Sequence, residues 1–531
     1  MYPMTWGSGS RGFVFIGAIE HVYVRVIALS NAGQAAAPEN TSLIVSFETG
    51  KGPYPPDMIK LLSQETGVSE DNIFWSTTHV HSTPEITNAD WADALDMEIR
   101  TDTAANTLAD TSARNKARWG IMLQKQLVAA AKTAMSTMRE AEVSLGTTQS
   151  YINVNRDTPY ASNLVQNPYD PLGEKIPGTL EGFNGQGFSD KTLTVIEFRE
   201  RTGEKKPITF IVHYAMHNVL LYANDYFNPD YNEVHGVTIA QESDIELGAY
   251  VKDQVDETVL STKLELNMAY CETYEKNYRS LTDLTTATNV DGLTAANAAV
   301  HPDIGGLVSQ YIEIEYPDSV ALWMSGAAGD QNPLFRNTMN FESPYTGEVL
   351  EIPIDGGKIE PAEYYAAIQF ADVMRAIGEI EAEDSFASDT PIGFAWGQSS
   401  VDPIDELYYA VNSATGEVSD PVPYNEVPLF MTVMRIGDIT FAGVPNEPFN
   451  AIGVAMRDES DLNAPAQNTL VVDHCWTKEV ENSYRSYYPD DVAIGNNSHR
   501  WGRNVKYPQG VINQAYIGLL ENLWTQAEPA Q

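Results

Sequence analysis

The chain has 531 residues, 43% of them hydrophobic and 10% aromatic, which is enough to bury a large core. Its 73 acidic against 32 basic residues, net charge −41, exclude a nucleic-acid backbone as partner and disfavour anionic membrane surfaces, since both require clustered Lys and Arg. Two cysteines, Cys271 and Cys475, are too few for a disulfide framework or a cysteine zinc site, and no run of about 18 apolar residues predicts a membrane span.

The start "MYPMTWGSGSRG" has neither a basic nor an apolar region of a signal peptide, so the sequence reads as cytoplasmic, or as extracellular or periplasmic with its signal outside these residues. The spread-out acidity suits either a salt-adapted surface or an ordinary acidic one.

In chain order, "SLIVSF" (42–47) and "NIFWSTT" (72–78) read as strands, their β-branched and aromatic residues bounded by polar ones. Helical periodicity runs over 117–142, and the Pro-, Gly- and Asn-rich stretch 157–189 reads as a long ordered loop. Strands are predicted at 192–198, 208–217 and 320–326, and the polar residues 241–318 read as an insertion carrying a helix or two. A second long loop over 338–360 precedes a helix at 361–383. In 429–444, Gly437-Asp438 divides two alternating runs and predicts a tight hairpin. Strands and helices interleave throughout, so the class is mixed α/β, large sheets flanked by helices, in one domain spanning 1–531.

Four of the apolar runs end in residues that bind metals or move protons: His79 and His81, His217, Asp330, and Glu447. A strand delivers its terminal side chains to a fixed place beside the core, so four such endings predict one destination. Histidines at i and i+2 share a face of an extended strand. Taken singly, His79 and His81 read as a hydrogen-bonded pair at a strand end, and His213 and His217 as satisfied core histidines. Glu447 alone suits a cap on the helix that "EPFNAIGVAMRDE" predicts. Arg156 in "NVNRD" is a candidate for an oxyanion or a substrate carboxylate, or else an ordinary ion-pair residue. Tyr484, Tyr487 and Tyr488 by themselves read as packing aromatics.

Together and in order, these pieces resemble the neutral (alkaline, non-lysosomal) ceramidase family over about residues 10–525. "STTHVHSTPE" is similar to its Thr-His-Thr-His-Ser-Gly-Pro motif, and "NVNRD" with "QNPYDP" to its Asn-x-Asn-Arg and Asn-Pro elements. "HYAMHN" with "NPD" resembles its second zinc-histidine segment, "SGAAGDQNP" its Ala-Gly-Asp loop, "MRIGDITFAGVPNEPFNAIG" its glutamate segment and "ENSYRSYYP" its Asn-Ala-Tyr stretch.

The resemblance implies one zinc per chain on His79, His217, Glu447 and Tyr484, with His474 and Tyr487 as competitors for the last position. It places His81 and Arg156 at the reaction centre, Asn332 in the Ala-Gly-Asp loop and Tyr487 beside them. The implied reaction is hydrolysis of an N-acyl amide, ceramide or a related small or lipid-like compound, by metal-activated water. Where the family carries Ser, Asn332 stands here, which removes any mechanism through that hydroxyl and keeps only its hydrogen bonding. About 47 residues follow Tyr484, too few for the family's C-terminal immunoglobulin-like domain. Hydrolysis of a polar ester or lactone on the same metal, and a non-catalytic binding protein on the same scaffold, are the alternatives. An amidohydrolase barrel would repeat eight βα units, which these hairpin-bearing strands do not. A metallo-β-lactamase site would need an Asp-His pair that "HVHSTPEI" lacks.

Overall fold

The computed structural model describes residues 13–18, 20–31, 37–50, 55–83, 108–165, 167, 173–220, 287–290, 293–334, 339–342, 349–352, 359–404, 407–408, 422–423, 425–476, 487–501 and 506–528. The first half supplies β1 (Val24–Ser30), β2 (Thr41–Phe47), α1 (Pro55–Thr66), β3 (Ile73–Thr77) and α2 (Leu108–Ser136). Next come β4 (Ala141–Gln149), β5 (Asn153–Val165), β6 (Ile176–Asn184), β7 (Thr192–Glu200) and β8 (Pro207–Tyr214). The second half adds α3 (Asp303–Glu315), β9 (Val320–Ser325), β10 (Gln331–Pro333), α4 (Ile359–Glu383), β11 (Ile392–Val401), β12 (Val427–Ile436) and β13 (Ile439–Gly443). It closes with β14 (Glu447–Pro448), α5 (Asn450–Glu459), β15 (Thr469–Val472), β16 (Cys475–Trp476), β17 (Tyr487–Tyr488) and α6 (Ile512–Gln526).

Among the described residues three four-stranded sheets form, in the orders β1-β2-β3-β16, β9-β8-β7-β4 and β11-β12-β13-β15. Each contains one parallel pair: β2 with β3, β8 with β9, and β13 with β15. One face of every sheet turns to a shared interior, where Ile44 and Phe74, Ile196, Ile211 and Leu322, and Met434, Phe441 and Leu470 pack together. Helices cover the other faces: α1 and α2 on the first sheet, α3 and α4 on the second, α5 and α6 on the third. Strands buried on both faces need continuous rather than alternating apolar runs, which is why "SLIVSF" is buried throughout. The mixed α/β class with helix-flanked sheets is therefore the observed one. No helix among the described residues is long and apolar enough to cross a membrane.

Gly437 takes φ +58° at the hairpin between β12 and β13, the conformation a glycine adopts without steric cost. Two expectations need correction. The helix predicted to reach 142 ends at Ser136, because "AEVSLGTTQ" alternates with period two and pairs with β7 as β4. The stretch 157–189, expected as a loop, is instead largely an antiparallel ribbon of β5 and β6, with β10 on its other edge. Bulges between Asn155 and Asp157 and between Pro159 and Leu164 accommodate residues that do not fit a regular ladder. Within 338–360, Met339–Glu342 and Val349–Ile352 pair as strands. Of the stretch read as an insertion, 241–286 lies outside the described residues; α3 lies within the remainder.

Glu197 on β7 is buried, and that burial, with the neighbouring charge of Glu381, pushes its carboxyl up from 4.5 to about 7. The folded state therefore holds this proton more tightly than the unfolded chain. Its contribution is fully present at low pH and is lost as pH rises from about 4.5 through 7. Glu197→Gln should leave stability unchanged near pH 4 and raise it at pH 8 by about 1–3 kcal/mol, measured by urea denaturation at both values.

Candidate metal centre

The parallel strands bring their carboxyl ends to one edge of the three-sheet core, the position where α/β sheets commonly bind ligands. His79 follows β3, His217 follows β8, Glu447 begins β14 just beyond β13, and His474 lies between β15 and β16. The backbone stitches these ends together. Thr77 N–H donates to His474 O (3.2 Å), Val444 N–H to Val472 O (2.8 Å), Cys475 N–H to Val444 O (2.8 Å) and His217 N–H to Gln331 O (3.2 Å). His79 and His474 both have positive φ, +57° and +50°, a sparsely populated conformation for residues other than glycine. Such backbone persists where the surroundings over-determine it, often at functional sites.

One ligand atom each of His79, His217, Glu447 and His474 lies within 4.8 Å of the others, and all four residues are buried. His217 Nε2 is 2.8 Å and His79 Nε2 3.9 Å from Glu447 Oε2. His79 Nδ1 sits 3.1 Å from Gly50 O, so an Nδ1–H donating there leaves the Nε2 lone pair facing the cluster. Burial, then the Arg156 charge, pushes His217 down to about 3, which keeps its imidazole neutral. Burial alone would raise Glu447, but the His217 hydrogen bond and the surrounding histidines outweigh it and hold the carboxyl well below its usual range. Neutral imidazoles and an ionised carboxylate are the ligand-ready forms. Donors of a tetrahedral site with bonds of about 2.0–2.1 Å stand roughly 3.3 Å apart, within the range spanned here. The group can therefore bind a metal.

Arg156 occupies the bulge of β5 beside this cluster. Its Nε and Nη2 donate to Gly329 O (3.2 and 2.8 Å), Nη1 donates to Asn332 Oδ1 (3.0 Å), and Nη2 is 3.1 Å from His217 Nε2. His81 Nε2 is 3.0 Å from His79 Nε2. The Tyr487 ring stacks 6.4 Å from that of His217 and lies under the Arg156 guanidinium at 5.4 Å. His79, His81, Arg156, His217, Asn332, Glu447 and Tyr487 thus meet in space, while Tyr484 lies outside the described residues. Asp330 and His213, also at strand ends, serve the framework: Asp330 accepts from Asn155 Nδ2 and Asn450 N–H, and His213 Nε2 pairs with Val471 O. Glu447 does not cap α5, whose N-cap is Phe449 without a side-chain bond.

No protein-family model and no curated protein matches the sequence. Neutral ceramidase from Pseudomonas aeruginosa superimposes over 100% of this chain and 73% of its own, with TM-score 0.56 and 14% identity. The chain shares the neutral ceramidase fold. A ceramidase complexed with C2 matches 97% of this chain and 72% of its own, with TM-score 0.53 and 12% identity.

Within this ceramidase fold, His474 had the same signal as its partners: "TLVVDH" is a further apolar run ending in a ligand type. Arg500 and Glu181, which also border the site, gave no such signal. Gly329 is held close against the backbone of the Glu447 segment. A Cβ there would lie 2.5 Å from Glu447 O and 3.0 Å from Pro448 O. Gly329→Ala should cost about 1–3 kcal/mol in denaturant unfolding and weaken metal retention, because the Glu447 backbone must move.

Proposed function

We propose that this protein is a zinc-dependent hydrolase that cleaves an N-acyl amide, ceramide or a related compound. One zinc per chain would be held by His79, His217 and Glu447, with His474 and Tyr484 as candidates for the further position. The observation that carries this reading is the buried cluster of three imidazoles and a carboxylate, with a buried arginine beside it, in a ceramidase fold. When bound, zinc supplies water acidified to a pKa of about 7 and polarises a carbonyl oxygen.

The residues around it have separable tasks. Gly329 O and Asn332 anchor Arg156, so that its charge is fixed where an oxyanion develops and needs no reorganisation during reaction. His81, within hydrogen-bond reach of the donor atom of His79, takes a proton from water and returns one to the leaving amine. Tyr487 is half-buried, with its ring against Arg156 and His217. A polar ester or lactone is the second reading, favoured by Asn332, which brings amide hydrogen bonds where the resembled family has a hydroxyl.

Metal analysis of the purified protein, combined with hydrolysis assays on a ceramide, short N-acyl amides and lactones, tests the proposal. We expect about one zinc per chain, and amide hydrolysis that chelation abolishes and zinc restores. Undiminished hydrolysis after complete metal removal would refute it, and activity confined to lactones would promote the second reading.

A further inference from the structure

Beside the metal cluster, Arg156 and Arg500 lie against one phenol. Their guanidinium carbons are 5.4 and 4.9 Å from the centroid of the Tyr487 ring. Both side chains are almost wholly buried, at 4% and 2% exposure. Asp157 pairs with Arg500 and also accepts from Thr179 and Ser498, so Arg500 is locked in place. The loop carrying Arg500 is stitched to β6 by Thr179 N–H to Asn497 O and His499 N–H to Thr179 O, both 3.3 Å.

The same strand carries Glu181, directly across from Asp157 in the register and next to the bulge that holds Arg156. Its Oε1 lies 3.7 Å from Arg156 Nη1 and accepts from Asn332 Nδ2 at 3.4 Å, while Oε2 accepts from Arg500 Nη2 at 3.4 Å. Three donors from three chain segments thus converge on the two oxygens of one carboxylate. Unlike the two arginines, Glu181 is 39% exposed. A carboxylate reaches this cradle from the solvent side.

We propose that Glu181 occupies a substrate subsite, and that substrate places its own carboxylate between Arg156, Arg500 and Asn332 beside the scissile amide. This inference rests on the hydrolase reading and narrows its substrate class to N-acyl amino acids. Arginine's planar fork suits a carboxylate better than a hydroxyl, and charge-assisted hydrogen bonds are roughly twice as strong as neutral ones. A half-exposed glutamate is readily rehydrated when it leaves. A neutral amide offers Arg156 and Arg500 no charge in exchange and so leaves Glu181 in place, while Arg500 keeps its pair with Asp157 in either case. Because Arg156 also reaches His217 Nε2 at 3.1 Å, the subsite adjoins the reaction centre, so the carboxylate must lie only a few bonds from the amide.

The test compares N-hexanoylglycine with the neutral N-hexanoylglycinamide, by calorimetric binding to the zinc-loaded full chain and by hydrolysis. We expect the acid to bind at least about tenfold more tightly than the amide. Glu181→Gln, a change at a half-exposed position, should tighten the acid severalfold and leave the amide unchanged. Arg500→Gln should erase the preference. Equal binding of acid and amide, or a Glu181→Gln protein with an unchanged ratio, would overturn the subsite. If the acid is preferred but neither compound is hydrolysed, the subsite stands and the hydrolase reading fails; if both are hydrolysed without preference, the reverse holds.

Discussion

Glu447→Gln should lower the stability of the metal-free protein at neutral pH, because the fold favours the ionised carboxylate, and should also remove the stabilisation that added zinc confers. The substitution keeps the volume and retains a carbonyl oxygen for the hydrogen bond now made with His217 at 2.8 Å. What it removes is the single negative charge among the four clustered ligand residues. Three imidazoles and an amide bind a divalent cation far more weakly. Partners one step removed from a metal commonly contribute 10–100-fold in affinity, so loss of a charged ligand should exceed about 100-fold. A ligand present at about a thousand times its Kd raises folding stability by about 4 kcal/mol. The parent's melting temperature should therefore rise with zinc and the variant's should not. Hydrolysis should be lost with the metal. A variant that retained one zinc per chain and the full thermal shift would remove Glu447 from the centre.

The extent to which this site was legible in the sequence follows from what holds each residue there. His79, His217 and Glu447 stand at the ends of long apolar runs, and the parallel strand pairs carry such ends to one edge. Local pattern therefore located them. His474 follows a strand of four residues and carried the same local signal, but local pattern alone left it competing with Tyr484 and Tyr487 for one position. Arg500 and Glu181 are placed by long-range partners; the Arg500–Asp157 pair spans 343 positions, and no local pattern reports such a pairing. The ribbon of β5 and β6 was hidden for a related reason. Its Pro, Gly and Asn content has turn chemistry, but pairing with β10 and two bulges hold it as a sheet. Order of motifs along the chain carried the resemblance to ceramidases, and at 14% identity the superposition tests the fold alone.

Arg156→Lys should separate charge from geometry. Lysine keeps the positive charge but is a point donor on a flexible stem. Arg156 simultaneously donates to Gly329 O and Asn332 Oδ1, approaches His217 Nε2 and lies over Tyr487. A single ammonium cannot hold the Gly329 and Asn332 contacts and also face the cluster. Zinc content should remain near one per chain, since no ligand is altered. On a neutral amide, kcat should fall about 10²–10³-fold with little change in KM, the loss expected when a preorganised donor to the oxyanion is removed. Arg156→Ala is the less informative change: it strands Gly329 O and Asn332 in a buried setting, and unfolding would confound the kinetics. A lysine variant with kcat within about threefold of the parent would show that any positive charge suffices there. The rigid anchoring of the guanidinium would then serve stability and leave the chemistry to the metal and His81.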